Sequence, residues 1–153
     1  MNGGNKLLKI AGTGPEENSI KNEIKKLGLE SKVVLLGWME PEALIDIYKA
    51  AFAFILVSKY EPWGVSVSEA IASNLPLILS NNIGALEEIA FSNDNAIVIS
   101  DVEGQITDAM SLITNDEKAH SRMRDASIRL SSKVDLNIST QEFKKAVEEL
   151  SRY

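Results

Sequence analysis

The residues with the most chemical potential in this chain lie in the segment Ser58-Lys59-Tyr60-Glu61-Pro62-Trp63-Gly64-Val65-Ser66-Val67-Ser68-Glu69-Ala70. One carboxylate, Glu61, stands just before a Pro-x-Gly turn, and a second, Glu69, follows inside a run with helical spacing. Gly64 lets a ligand approach the backbone. The first amides of a helix opening there, at Gly64, Val65 and Ser66, have no partner within the helix, so they favour a phosphate oxygen without any basic side chain. From Gly64 to Glu69 a helix rises roughly 7 to 8 Å, comparable with the span from a diphosphate to the ribose it esterifies. On that geometry Glu69 accepts hydrogen bonds from ribose hydroxyls, and Glu61, across the turn, faces a sugar beyond the diphosphate. Spacing alone leaves a second reading open, in which both are solvated surface carboxylates.

A second turn, Gly12-Thr13-Gly14-Pro15, follows an apolar run and precedes a helical one. Pro15 suits a first helical turn, and Glu16 and Glu17 suit the positive end of a helix. It is not a complete dinucleotide fingerprint, because Glu17 stands where a third glycine would allow close helix packing, and its two carboxylates oppose a pyrophosphate. Taken by itself it reads as structural. His120 sits in a polar helical stretch without a serine or cysteine elbow and reads as a surface residue. The chain has no cysteine, which removes disulfides, thiolate metal sites and cysteine nucleophiles, and it shows no H-E-x-x-H, metal-spaced cluster, P-loop or nucleophile elbow.

Five short apolar runs must position these residues: Leu7 to Ala11, Val33 to Leu36, Ala51 to Val57, Leu75 to Ser80 and Ala96 to Ile99. They are continuously apolar and not alternating, as strands covered on both faces of a parallel sheet are. Between them apolar residues recur at helical spacing, as at Ile20, Ile24 and Leu27, at Leu44, Ile47 and Tyr48, and at Val65 and Ile71. Strand and helix alternating in this way predict a three-layer, Rossmann-like α/β domain. Further helices are expected near 103 to 113, 116 to 131 and 139 to 150, the last opened by the Ser139 and Glu142 capping box.

A chain of 153 residues fits one domain, 1–153, with one substantial core. Its net charge of −6 repels polyanions and argues against nucleic acid or an anionic membrane as a nonspecific partner. The start, Met1-Asn2-Gly3-Gly4-Asn5, lacks a signal-peptide pattern and resembles a cut made within a loop, and no run approaches the length of a bilayer-spanning helix. A soluble, cytoplasmic protein is expected.

Glu61 and Glu69 in their Glu-Pro-x-Gly context resemble the signature of the family 4, or group 1, retaining glycosyltransferases. Leu8 to Glu16 is similar to that family's strand and Gly-x-Gly-Pro-Glu turn, Val33 to Gly37 to its next strand, and Ala70-Ile71-Ala72-Ser73-Asn74-Leu75-Pro76-Leu77-Ile78 to its Glu-Ala-x-Ala-x-Gly-x-Pro-Val-Ile stretch. The resemblance runs from about residue 7 to residue 100. It implies the C-terminal, donor-binding half of a two-domain GT-B enzyme, taking a UDP-, GDP- or ADP-sugar with no metal and no further cofactor. It also implies that Glu61 contacts the donor sugar at the catalytic centre, that Glu69 holds the ribose, and that the amides at Trp63, Gly64 and Val65 bind the diphosphate or sugar. Gly12 and Gly14 join the donor site, and the backbone at Trp38 and Met39 lies near the base; Trp38 also reads as an ordinary half-buried aromatic.

Two departures qualify that picture. The family has paired glycines before its x-x-Glu, whereas this chain reads Ile83-Gly84-Ala85-Leu86-Glu87-Glu88. The family domain also opens with a strand, a Gly-Arg turn and a Lys that neutralise the diphosphate, and this chain begins after that unit. Lys59 is the nearby cation, and it also reads as a solvated surface lysine. Removing the central strand from a sheet ordered 3-2-1-4-5-6 and closing the gap gives the order 2-1-3-4-5, while an edge left unpaired invites a second copy of the chain. The expected activity is transfer of a hexose from a nucleotide sugar to an acceptor hydroxyl, in cell-surface polysaccharide or glycolipid synthesis. An acceptor domain elsewhere in the parent, a parent that is cytoplasmic or peripheral at the inner membrane face, and a chain inactive on its own are further expectations. The alternatives are a noncatalytic flavodoxin-like module or a degenerate domain that binds nothing.

Overall fold

The computed structural model describes residues 6–87 and 94–132. Among them are five strands, all paired in parallel, and five α-helices, and the chain divides into two compact units, residues 1–47 and 48–153.

In the first unit β1 (Leu8–Ala11) and β2 (Val33–Gly37) pair in parallel, with Leu8 opposite Val33 and a register shift between Ile10 and Ala11. The crossover is α1 (Glu17–Lys26), with Glu17 in its first turn and Lys25 and Lys26 in its last, the charges that suit each end of a helix. Pro15 therefore precedes the helix and does not lie within it. No described residue of this unit is fully buried; β1 is largely exposed and β2 half-buried. The expectation of burial on both faces thus fails for these two strands, since a two-stranded sheet with a single crossover helix has too little material to cover both faces. The helix α2 (Pro41–Ala50) leads from this unit into the next.

In the second unit β3 (Phe54–Leu56), β4 (Leu77–Ser80) and β5 (Ala96–Ile99) form a parallel sheet with β4 in the middle. Every residue of β4 is buried. Leu77 and Leu79 enter one apolar cluster with Val67 and Ile71 of α3 (Val65–Ala72), while Ile78 enters another with Ile99, Ile113 of α4 (Val102–Asn115) and Met123 of α5 (Glu117–Ser131). The alternation of side chains along a strand thus divides an unbroken apolar run between two layers. Asp101 caps α4 by accepting from the Gly104 amide, and Asp116 caps α5 by accepting from Lys118 and Ala119.

Strand order departs from the expected 2-1-3-4-5. That order needs β1 hydrogen-bonded to β3, yet β1-β2 and β3-β4-β5 are separate sheets. The break falls between the two strands that the family resemblance separates by an intervening strand. The third apolar run also yields less strand than expected. A turn closing Ala51 onto Tyr48 ends α2, and the ladder begins only at Phe54, whose amide donates to the Pro76 carbonyl at 2.9 Å. The helices expected at 103 to 113 and 116 to 131 are α4 and α5; the one expected at 139 to 150 lies outside the described residues.

Candidate functional site

At the carboxyl end of β3 the chain leaves the sheet, turns through Glu61, Pro62 and Trp63, and enters α3 at Gly64. This is the end at which open parallel sheets bind ligands. The departure is anchored at once: the buried Ser80 hydroxyl, at the end of β4, accepts from the Ser58 amide at 2.9 Å and donates to the Ser58 carbonyl at 2.8 Å. The turn is then pinned by backbone alone. The Glu61 amide donates to Asn82 O at 2.9 Å, Gly84 N donates to Glu61 O at 3.0 Å, and Ala85 N donates to Trp63 O at 2.9 Å. The loop after β4, with its short 3₁₀ turn Gly84–Glu87, thus clasps the turn after β3.

Two glycines make this clasp possible. A Cβ on Gly84 would lie 2.1 Å from the Pro62 carbonyl oxygen, so any side chain there forces the two loops apart. Gly64 has φ +90° and ψ +64° at the N-cap of α3, a left-handed conformation that L side chains adopt at a cost. No side chain caps α3. The Val67 amide is satisfied by Gly64 O at 2.8 Å, and the amides of Val65 and Ser66 at the helix start have no hydrogen-bond partner among the described residues.

The two carboxylates differ in setting. Glu61 is half-buried, and among the described residues its carboxylate makes no hydrogen bond or ion pair. Glu69 is exposed on α3, and its Oε2 accepts a 3.0 Å hydrogen bond from the Tyr48 hydroxyl. That phenol is held well above the ordinary tyrosine range, first by burial and then by the Glu69 carboxylate beside it, so it stays a proton donor at any physiological pH. Trp63 is 40% exposed and Tyr60 78% exposed, leaving aromatic surface beside the turn. Lys59 is exposed and unpaired among the described residues.

Sequence reasoning grouped nine residues. The second unit holds Glu61, Trp63, Gly64, Val65 and Glu69 together on one turn and the helix that follows it. Gly12, Gly14, Trp38 and Met39 lie in the first unit, just past the carboxyl ends of β1 and β2. There Gly12 has φ +120° and its amide donates to Gly37 O at 2.7 Å, while Trp38 is 65% exposed and not half-buried. Among the described residues no three histidine, aspartate or glutamate side chains converge as a metal site would require. The described turn thus sets an uncapped helix start between two carboxylates, Glu61 before it and Glu69 along the helix, groups with the chemistry to meet an anion and hydroxyls.

A model of the glycosyl transferases group 1 family matches residues 2–129. The chain belongs to that family. An α-monoglucosyldiacylglycerol synthase of Streptococcus pneumoniae is 31% identical over 144 residues, covering 93% of this chain and 30% of that protein. Among solved structures, a pneumococcal O-GlcNAc transferase in complex with UDP and GlcNAc matches 96% of this chain and 30% of its own, at 25% identity and a TM-score of 0.79. The C-terminal domain of a group 1 protein from Francisella tularensis matches 79% of this chain and 64% of its own, at 20% identity and a TM-score of 0.69, and so shows the fold. The chain spans between 16% and 31% of the length of the curated relatives that it matches. It is a group 1 glycosyltransferase domain with the fold of GT-B donor-binding C-terminal domains.

Three supports of the site escaped sequence reasoning. Ser80 reads as the polar end of an apolar strand, and only the structure shows it bonded to Ser58. Gly84 reads as a departure from the family's glycine pair, yet it makes the closest approach between the two loops. Tyr48 reads as one apolar member of α2. Outside the site, His120 is half-buried and not a free surface residue: its ring stacks on Phe52 with centroids 3.8 Å apart, and Nε2 lies 2.9 Å from the Phe52 carbonyl. Among the described residues no helix is long and apolar enough to cross a membrane.

Proposed function

We propose that this chain binds the nucleoside diphosphate sugar of a retaining glycosyltransferase, with a uridine, guanosine or adenosine diphosphate as the leaving group and a hexose as the group transferred. The observation that carries the reading is the uncapped start of α3 at left-handed Gly64, with Glu61 before it and Glu69 five residues along. The Val65 and Ser66 amides hold the diphosphate, Glu69 takes the ribose hydroxyls, and Glu61, with no side-chain partner among the described residues, takes hydroxyls of the sugar. During transfer the anomeric carbon–oxygen bond to the diphosphate breaks, a bond to the acceptor oxygen forms on the same face, the acceptor hydroxyl's proton passes to the departing diphosphate oxygen, and the amides take up the negative charge that grows on the leaving group. Uridine is favoured among the bases, because the pneumococcal relative is seen with UDP and GlcNAc.

The acceptor is held by another part of a larger enzyme, a reading supported by the chain's spanning only 16% of the mannosylfructose-phosphate synthase, 31% of the glycogen synthase and 30% of the α-monoglucosyldiacylglycerol synthase that it resembles. Polysaccharide or glycolipid synthesis fits a relative that is named as an α-monoglucosyldiacylglycerol synthase. No metal ion takes part in this scheme, and the chain alone binds donor without transferring it.

Calorimetric titration with UDP, GDP and ADP, then with their sugars, tests the proposal. One nucleotide binding selectively, and several-fold more weakly to Glu69→Ala, supports it and names the base. A folded chain that binds none of them, or binds one equally well after the substitution, contradicts it.

A further inference from the structure

Glu69 is exposed on the surface of α3, where a glutamate side chain ordinarily samples several rotamers, and a ligand that needs its carboxylate must first immobilise it. Here one rotamer is selected beforehand. Tyr48, on α2 and 21 positions away in the chain, reaches Oε2 at 3.0 Å. Its ring is half-buried and tilted against Phe54, with centroids 5.9 Å apart and an interplanar angle of 45°, so the phenol has its own packing and its hydroxyl is aimed by the core. Glu69 Oε1, in contrast, has no hydrogen-bond partner among the described residues.

We infer that Tyr48 is a positioning residue that fixes the Glu69 carboxylate as a reader of vicinal hydroxyls, and that it sets the preference for a ribonucleotide over its 2′-deoxy counterpart. A carboxylate has about four lone-pair sites, and Tyr48 occupies one on Oε2. The rest face outward in a fixed plane, Oε1 for one ribose hydroxyl and the free side of Oε2 for the other. A carboxylate that swings freely meets one hydroxyl nearly as well as two, whereas a fixed one is matched to the pair. The inference rests on the donor-binding reading given above and adds to it a residue and a selectivity.

The substitution that separates this role from packing is Tyr48→Phe, which keeps the ring against Phe54 and removes only the hydroxyl. The probes are the nucleoside diphosphate that the chain binds best among UDP, GDP and ADP, and its 2′-deoxy form, titrated against wild type, Tyr48→Phe, Glu69→Gln and the double variant. Denaturation midpoints monitor the fold. Tyr48→Phe should weaken the ribonucleotide roughly three- to ten-fold, the scale of one released side-chain rotamer set, and leave the 2′-deoxy nucleotide unchanged. In a Glu69→Gln background the same change should have a smaller effect, because the two residues act through one contact.

Equal weakening of both nucleotides would assign Tyr48 to packing alone, and no weakening of either would deny it any part; each result overturns the inference while donor binding stands. If wild type does not distinguish the ribose from its deoxy form, or if Glu69→Gln changes nothing, the donor-binding reading of Glu69 fails and this inference falls with it.

Discussion

Gly64 and Gly84 shape the site through what they lack. At Gly64 a non-glycine residue must hold φ near +90° and bring a Cβ to 3.1 Å from Val67 Cγ2 and 3.2 Å from Ile83 Cγ2. Gly64→Ala should therefore cost about 1–2 kcal/mol of stability from the left-handed backbone alone, read as a lower urea midpoint at unchanged slope. At Gly84 the obstacle is a backbone oxygen, which cannot rotate aside. Gly84→Ala should separate the two loops and weaken nucleotide binding even where the fold survives, which calorimetry beside circular dichroism would show. Removing the Ser80 hydroxyl leaves the Ser58 amide and carbonyl unpaired beside a buried strand end, and Ser80→Ala should cost about 1–3 kcal/mol, measured by chemical denaturation. The carboxylates and Gly64 were legible in the sequence because their signal is local, a turn and one turn of helix. Ser80 and Tyr48 were not, since each acts on a partner about twenty positions away, 22 and 21 respectively, and nothing in the intervening residues records that meeting.

At the scale of elements, hydrophobic patterning located every described strand because an apolar run bounded by polar and turn residues has few other fates. The expected β1–β2, β3–β4 and β4–β5 pairings form, but the expected β1–β3 pairing does not, because a ladder depends on which strand lies alongside and not on the strand's own residues. The same limit explains why burial was overestimated in the first unit: an apolar run records a capacity to be covered, while cover itself comes from neighbouring layers. Helix starts were clearer. Asp101 holds the Gly104 amide at 3.2 Å, and Asp116 holds two amides at 3.0 Å. Asp116→Ala should destabilise the second unit by about 1 kcal/mol through loss of the cap, seen as a fall in its thermal midpoint.

Across the whole chain, the fully buried residues described all lie in the second unit, and β4 is its centre. Local opening is easiest where few apolar groups leave water. Amide hydrogen exchange should accordingly find the β4 amides the slowest to exchange, with those of β1 and β2 exchanging well before them; equal protection across the two sheets would contradict this. The backbone clasp between the Glu61–Trp63 turn and the Asn82–Ala85 loop also bears on evolution. Among the described residues no hydrogen bond in it uses a side chain, so residues such as Tyr60 and Trp63 can be exchanged without loosening the turn that presents them. New sugar preferences can then be explored by single substitutions at the rim of an unchanged frame, and drift is blocked chiefly at the two glycines.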